Sequence, residues 1–243
     1  MPSFLSPRWA AASNVKAAFA LRNNGFSRSP FSSFNLAVHV GDDRASVENN
    51  RRALVDALAC PTEVLWLNQQ HTARCVRASV SKTPPLADAA WYDRCDITLA
   101  VMVADCLPVL IASRDGSVIS VAHAGWRGLL RGVLAATISA LPCRAGDLIA
   151  WIGPAISVAH YEVGRQLFDQ FISIDASYAS AFEWRDESIF LDLKRIAAIQ
   201  LEALGIAEVA IDHSCVFSQS DDFFSYRRDG ATGRMAALIW RDS

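Results

Sequence analysis

Long apolar runs are the feature that most restricts how this chain can fold. Ile97–Val103 contains a single polar residue and Leu148–Ile152 contains none. Such runs are typical of β-strands that are covered on both faces. Asp115-Gly116, between two of the runs, predicts a hairpin turn. The predicted strands are Val15–Leu21, Val64–Leu67, Ala73–Ala78, Ile97–Val103, Val109–Ala112, Val118–Ala122, Leu148–Ile152, Val209–Ile211 and Ala237–Trp240.

Four stretches instead show helical spacing. The clearest begins at the N-cap residue Asp192 and runs to Leu204, with Gly205 placed to end it. Hairpin-linked strands mixed with helices predict an α/β protein with a mixed sheet. Because no linker or repeat divides the sequence, we expect one domain over residues 1–243. The other three helices are marked by Val47, Leu54, Val55 and Leu58, by Leu129, Val133, Ala136 and Leu141, and by Val163, Leu167, Phe168 and Phe171.

Charge and cysteine usage narrow the class of protein. The formal net charge of -2 argues against a nucleic-acid partner or a membrane surface, since both attract clustered Lys and Arg. The six cysteines form no Cys-x-x-Cys pair, which indicates reduced thiols. The first residues lack a signal-peptide pattern, and the longest apolar stretch, Ile97 to Ala112, is too short for a transmembrane helix. We therefore expect a soluble cytoplasmic protein, with its oligomeric state left open.

Three segments place reactive side chains at strand ends beside Gly or Pro. Cys106 and His123 follow each other through a short hairpin, so they are expected to face one another across neighbouring strands. With His71, which follows another strand, they offer one thiolate and two imidazoles, a donor set suited to catalytic zinc. Asp105 is adjacent and is a candidate for proton transfer or for orienting the metal-bound group. Arg127 is placed to neutralise an anionic substrate. Spacing alone leaves a second interpretation open, in which Cys106 is a buried apolar residue and each histidine is structural.

A segment near the C-terminus interleaves aromatic and basic residues. It runs Phe223-Phe224-Ser225-Tyr226-Arg227-Arg228 and is followed by Thr232-Gly233-Arg234. Aromatic rings can stack on a base and arginines can bind phosphate. Composition alone slightly favours a different interpretation, a hairpin with a solvated basic tip.

At these motifs the sequence resembles the laccase-domain family, also called YfiH-type or peptidoglycan-editing-factor proteins. The resemblance extends over nearly the whole chain. Thr72 departs from the family pattern, which usually has Gly after the histidine, and residues 89–96 are less typical. The matching motifs are Phe34-Asn35-Leu36-Ala37, His39-Val40-Gly41-Asp42-Asp43, Val47-x-x-Asn50-Arg51-x-x-Leu54, Gln69-x-His71, Ala104-Asp105-Cys106-Leu107-Pro108, Ala122-His123-Ala124-Gly125-Trp126-Arg127-Gly128, Gly153-Pro154-Ala155-Ile156 and Phe223-Phe224-Ser225-Tyr226-Arg227-Arg228.

The resemblance implies a four-layer α/β/β/α sandwich with mixed sheets, similar to the catalytic domain of necrotizing-factor toxins. It also implies a metal site at His71, Cys106 and His123. The activities ascribed to the family are phosphorolysis of adenosine, inosine, guanosine and methylthioadenosine, and deamination of adenosine. An older description as polyphenol oxidases and a role in peptidoglycan editing are also attached to it.

The histidines of this chain argue against a multicopper oxidase activity. A multicopper cluster needs many histidines, often in His-x-His pairs, and this chain has five histidines and no such pair. We therefore expect zinc, with copper possible at the same ligands, and purine nucleoside and phosphate as substrates. In that hypothesis Asp105, Cys106 and His123 are catalytic, and Tyr226, Arg127, Arg227 and Arg228 bind substrate or phosphate.

Two alternatives remain at this point. Cys106 and His123 also suit a nucleophile and base of an amide hydrolase acting in peptidoglycan-precursor editing. A binding protein without turnover is the third possibility. Cys60, Cys75, Cys95 and Cys143 are expected to be structural, and Cys215 is left unassigned because the family often carries a cysteine near that position.

Overall fold

A computed structural model describes residues 1–81 and 83–242 of the chain. The strands are β1 (Phe4–Leu5), β2 (Val15–Ala20), β3 (Glu63–Trp66), β4 (Cys75–Arg77), β5 (Ala89–Tyr92), β6 (Ile97–Val103), β7 (Leu107–Ser113), β8 (Ile119–Ala124), β9 (Leu148–Ile152), β10 (Glu162–Val163), β11 (Phe182–Arg185), β12 (Ser188–Leu191), β13 (Glu208–Ile211) and β14 (Met235–Arg241). The helices are α1 (Arg44–Leu58), α2 (Trp126–Leu130), α3 (Val133–Ala140), α4 (Arg165–Ile174), α5 (Leu193–Ala203) and α6 (Tyr226–Asp229).

Two mixed sheets form the centre of the molecule. The five-stranded sheet has the order β1-β2-β14-β6-β3, in which only β3 and β6 are parallel. The six-stranded sheet has the order β13-β9-β7-β8-β5-β4, with parallel pairs at its two ends. The β7–β8 hairpin turns at Gly116, whose positive φ of 70° is a conformation that favours glycine. The hairpin predicted at Asp115-Gly116 is thereby confirmed.

The two sheets pack face to face, and a helix layer covers each outer face. Leu99 and Val101 of β6 lie in the same buried cluster as the inner strands of the six-stranded sheet. The opposite face of β6, with Ala100, packs with Leu54 of α1 in a second cluster. Helix α3 contacts β4, β5 and β8 from the far side of the six-stranded sheet. This arrangement gives the four α/β/β/α layers that were expected, and it explains why the strands are apolar on both faces.

All nine predicted strands are found, with ends that differ by at most two residues. The predicted helix that follows Asp192 is also confirmed, since the Asp192 side chain accepts from the Arg195 N–H and Gly205 has a φ of 90°. The second predicted helix is divided into α2 and α3, because Gly132 takes a φ of 78° between them. The third begins at Arg165, since Val163 is taken up by β10, where it pairs with Ile189.

Among the described residues, none of the helices combines the length and apolar character needed to cross a bilayer.

Candidate metal and substrate site

The three predicted metal ligands come together where strands of both sheets end. Cys106 lies in the turn from β6 to β7, and His123 lies in β8, paired with Pro108 of β7. His71 comes from the loop after β3 and has a φ of 56°. The three potential ligand atoms all lie within 4.8 Å of one another, and Cys106 Sγ is 3.7 Å from His71 Nε2.

The chemistry and packing of this cluster fit a metal ion. Two imidazole nitrogens and one thiolate are donors that zinc accepts, and three protein ligands leave a fourth position for substrate or water. Gly125 allows the ligands this approach: a Cβ there would lie 2.7 Å from Cys106 Sγ and 3.1 Å from His71 Cδ2. The residue that follows His123-Ala124 therefore has to be glycine for the cluster to keep its geometry.

A fully buried carboxylate, Asp88, organises two of the ligands. Its oxygens accept hydrogen bonds from the backbone N–H groups of Gln70, His71 and Thr72, at 3.1, 3.0 and 2.6 Å. Asp88 Oδ1 also lies 2.8 Å from His123 Nδ1. Burial would raise the pKa of Asp88, but the hydrogen bonds from His123 and Thr72 outweigh it and lower that pKa to about 2. Asp88 is thus an anion that fixes the His71 backbone and the His123 ring together.

Asp88 was not predicted as a site residue. It stands in Leu86-Ala87-Asp88-Ala89-Ala90-Trp91, immediately before a strand that was not predicted either. The signal that could have found it is a single carboxylate in an otherwise apolar run, since such a group needs hydrogen-bond donors when it is buried.

The Cys106 thiol and the His123 imidazole each favour the charged form of the other. Burial would raise the pKa of Cys106, but positive charge and a hydrogen bond at His123, with a further contribution from His71, lower it to about 6. Burial would lower the pKa of His123, whereas the thiolate and Asp88 raise it to about 9. A thiolate at neutral pH is the form of cysteine that both binds metal and acts as a nucleophile.

Asp105 holds the C-terminal segment against the cluster. Its carboxylate accepts from Ser225 Oγ at 2.5 Å and from the Arg227 N–H at 2.6 Å, at the start of α6. Burial raises the pKa of Asp105, and these hydrogen bonds oppose the rise. Asp105 has a φ of 97°, in the left-handed region. These two hydrogen bonds support a positioning role for Asp105, and the proton-transfer role that the sequence also allowed stays a prediction.

The arginines that were predicted to bind phosphate occupy different places. Arg127 stacks on the Trp126 ring at 4.3 Å, and Arg227 lies 4.9 Å from the Tyr161 ring centroid. Both line the cavity beside the metal ligands, as does the exposed ring of Tyr226. Arg228 does not line it: its guanidinium donates to the carbonyls of Val216, Phe217 and Phe223 and to the Asp229 carboxylate. These contacts give Arg228 a role in supporting the loop, and the binding of phosphate by Arg228 stays a prediction.

The cavity has a volume of about 500 Å³, within the range of small-molecule sites. It combines the metal ligands with cations and aromatic rings. Cys215 is not among the residues that line it. Burial would raise the pKa of Cys215, but hydrogen bonds with Ser157 and Ser218 outweigh it and lower that pKa to about 7. The lining is formed by His39, Gln69, His71, Met102, Val103, Ala104, Asp105, Cys106, His123, Trp126, Arg127, Tyr161, Tyr226, Arg227 and Arg234.

Known proteins have similar sequences and a similar fold. A family profile described as "Multi-copper polyphenol oxidoreductase laccase" matches residues 16–242. A Pseudomonas aeruginosa protein named purine nucleoside phosphorylase is 40% identical over 99% of both chains. The Escherichia coli (strain K12) protein named purine nucleoside phosphorylase YfiH is 36% identical over 99% of both chains. The crystal structure of a Neisseria meningitidis protein superposes with a TM-score of 0.95, at 43% identity and 99% coverage of both chains.

Proposed function

The chain belongs to this laccase-like family, and on that premise we propose that it is a zinc-dependent purine nucleoside phosphorylase that also deaminates adenosine. The observation that carries the proposal is a single cavity lined by a two-histidine, one-cysteine cluster and by arginines and aromatic rings. The relatives that bear the phosphorylase name span the whole chain, which supports purine nucleosides and phosphate as the substrates.

The metal would be held by His71, Cys106 and His123, and it would supply Lewis acidity to an oxygen of phosphate or of water. Asp88 keeps His71 and His123 in position for it. The free thiols support a reducing compartment, and we infer the cytoplasm.

The surrounding residues bind and orient the substrates. Apart from its stacking on Trp126, the Arg127 guanidinium makes no hydrogen bond or ion pair with the residues that the structure describes, so it is available to phosphate. Arg227 donates one N–H to the Glu162 carbonyl at 3.0 Å and retains further donors. The exposed Tyr226 ring offers a surface on which a purine can stack. Asp105 holds Arg227 at this edge through the Arg227 backbone.

Product analysis tests the proposal. Zinc-loaded protein is incubated with adenosine, inosine, guanosine or methylthioadenosine, with and without phosphate. We expect free base only when phosphate is present, and inosine from adenosine without it. Replacing Arg127 or Arg227 with Ala should raise the KM for phosphate and affect deamination less. If fully zinc-loaded protein forms neither free base nor inosine, the proposal is wrong.

A second candidate has one specific observation in its favour. Cys106, His123 and Asp88 lie in the order nucleophile, base and orienting carboxylate, and the pKa of Cys106 is lowered to about 6. This arrangement suits an amide hydrolase acting on peptidoglycan precursors. Hydrolysis of a muropeptide amide by zinc-free protein, abolished by alkylation of Cys106, would favour this function. Loss of all activity on zinc removal, with recovery on zinc addition, would favour the first.

A further inference from the structure

Arg234 has a backbone that is fixed beside the metal cluster. It immediately precedes β14, whose Met235 pairs with Val103 of β6, so Arg234 lies near the turn that carries Cys106. Its N–H donates to Asn35 Oδ1 at 2.9 Å, and its carbonyl accepts from the Leu36 N–H at 3.1 Å. Asn35 is completely buried. The base of the Arg234 side chain is therefore held by the core. Arg234 lines the cavity, and its guanidinium carbon lies 5.6 Å from the ring centroid of Tyr226, which lines it too.

The guanidinium of Arg234 has donors that protein groups do not use. Nη1 donates to the carbonyls of Thr232 and Gly233, at 2.8 and 3.0 Å, which fixes the direction of the side chain. Among residues 1–81 and 83–242, Nε and Nη2 have no hydrogen-bond partner, and no carboxylate lies within ion-pair distance. Burial lowers the pKa of Arg234, so the protein bears a free-energy cost for keeping this cation in the cavity. An anion bound there would offset that cost.

Two other partly buried arginines have more of their donors on protein groups. Arg228 has its donors on three carbonyls and one carboxylate. Arg51 donates to the Leu36 carbonyl and stacks on the Trp66 ring at 4.0 Å. For Arg234 the corresponding contacts are those of Nη1 with two carbonyls and of the guanidinium with the Tyr226 ring, 5.6 Å from its centroid. Nε and Nη2 of Arg234 remain without a hydrogen-bond partner among residues 1–81 and 83–242.

We propose that Arg234 is a phosphate ligand of the cavity, with Nε and Nη2 as the paired donors. A guanidinium fork matches two oxygens of a phosphate dianion, and such charge-assisted hydrogen bonds are short and strong. His39 also lines the cavity. The inference rests on the proposed function, since it assigns a ligand within the same site. The phosphate has two possible sources: inorganic phosphate as co-substrate, or the phosphate ester of a nucleotide.

Direct binding tests this inference separately from turnover. Zinc-loaded wild type, Arg234→Gln and Arg234→Lys are titrated with inorganic phosphate and with adenosine 5′-monophosphate by calorimetry. Arg195→Gln, at an exposed position on α5, is the matched control. We expect Arg234→Gln to weaken binding of at least one ligand about 10–100-fold, with Arg234→Lys intermediate because it keeps the charge and loses the fork. The control should bind as wild type does, and thermal unfolding verifies that each variant is folded.

The pattern of losses identifies the source of the phosphate. Weaker binding of both ligands supports a co-substrate site. Weaker binding of inorganic phosphate alone supports the same site if the KM for phosphate rises to match and the KM for adenosine is unchanged. A loss confined to adenosine 5′-monophosphate supports a nucleotide ester. Unchanged affinity for both ligands in a folded Arg234→Gln protein overturns the assignment, as does wild type that binds neither. Wild type that binds phosphate but forms neither free base nor inosine refutes the proposed function, and the titrations then still decide whether Arg234 is a phosphate ligand.

Discussion

The Asp88 carboxylate and the His123 Nδ1 atom lie 2.8 Å apart, both within the buried interior. Because Asp88 is ionised, Nδ1 carries the proton and donates it, which leaves Nε2 of His123 as the atom that can bind a metal. The same carboxylate binds the backbone on both sides of His71. The Asp88 carboxylate thus determines which ring nitrogen of His123 is available to a metal, and it holds the backbone of His71 in place.

Replacing Asp88 with Asn should weaken zinc binding by about 10–100-fold, because the variant loses the charge that orients His123. Competition with a chromophoric chelator measures the affinity. Asp169→Asn, on the exposed face of α4, is the matched control and should bind zinc as wild type does. A cobalt-loaded Asp88→Asn protein should also show a changed absorption spectrum, which loss of fold stability alone would not produce. Wild-type affinity and spectrum in this variant would contradict the role given to Asp88.

Each of the single variants His71→Ala, Cys106→Ala and His123→Ala should lose most of its bound metal while keeping the fold. We expect about one zinc per wild-type chain by elemental analysis, since three ligands converge on one point. Cys75→Ala serves as control, because Cys75 is outside the cluster and burial raises its pKa to about 11. Full metal retention in two of the three ligand variants would refute the site.

Metal-free protein should be alkylated by iodoacetamide at Cys106 well before Cys75. With a pKa of about 6, the Cys106 thiol is mostly ionised at pH 7 and mostly protonated at pH 5. Its modification rate should therefore rise roughly tenfold between these pH values. Peptide mapping by mass spectrometry, in a Cys95→Ser background that removes an exposed thiol, measures both sites. Zinc should protect Cys106; equal labelling with and without zinc would argue against ligation by this thiol.

Asp105→Asn and Ser225→Ala should each lower the free energy of unfolding by about 1–3 kcal/mol, because each removes a buried hydrogen bond to a carboxylate. The double variant should lose less than the sum of the two, since the residues share that bond. Denaturant unfolding of the four proteins gives the comparison. We also expect the KM for phosphate to rise more than kcat falls, because Asp105 holds Arg227. A stable Asp105→Asn protein whose kcat falls about 10²–10⁴-fold would instead give Asp105 the proton-transfer role.

The sequence predicted those parts of the fold and site that depend on local pattern or on adjacent strands. Ile97–Val103 and Leu148–Ile152 match their strands without a shift, because continuous apolar runs of this length have few other uses. Cys106 and His123 are brought together by one hairpin, so their proximity follows from a short-range feature.

What the sequence left out depends on contacts between distant segments. The partners of Asp88 come from residues 70–72 and 123, and no local pattern connects them. Arg228 and Arg234 are both arginines and lie six positions apart in the sequence. The Arg228 guanidinium donates to protein carbonyls and a carboxylate. Nε and Nη2 of Arg234 have no partner in the part of the chain that the structure describes. The difference lies in which backbone carbonyls the fold turns toward each guanidinium, and composition does not record that.

The position of β14 constrains how the chain can fold during its synthesis. This strand pairs with both β2 and β6 in the middle of the five-stranded sheet, although it is made after every other strand of that sheet. Until β14 has been synthesised, β2 and β6 each have an edge without a partner strand, and the backbone groups there are exposed to other chains. A nascent chain that has reached only β13 also lacks α6 and Arg234, and so one wall of the cavity. We therefore expect ribosome-bound chains to need protection from aggregation until residue 241 emerges, and the cavity wall to be completed after the metal ligands are already in place.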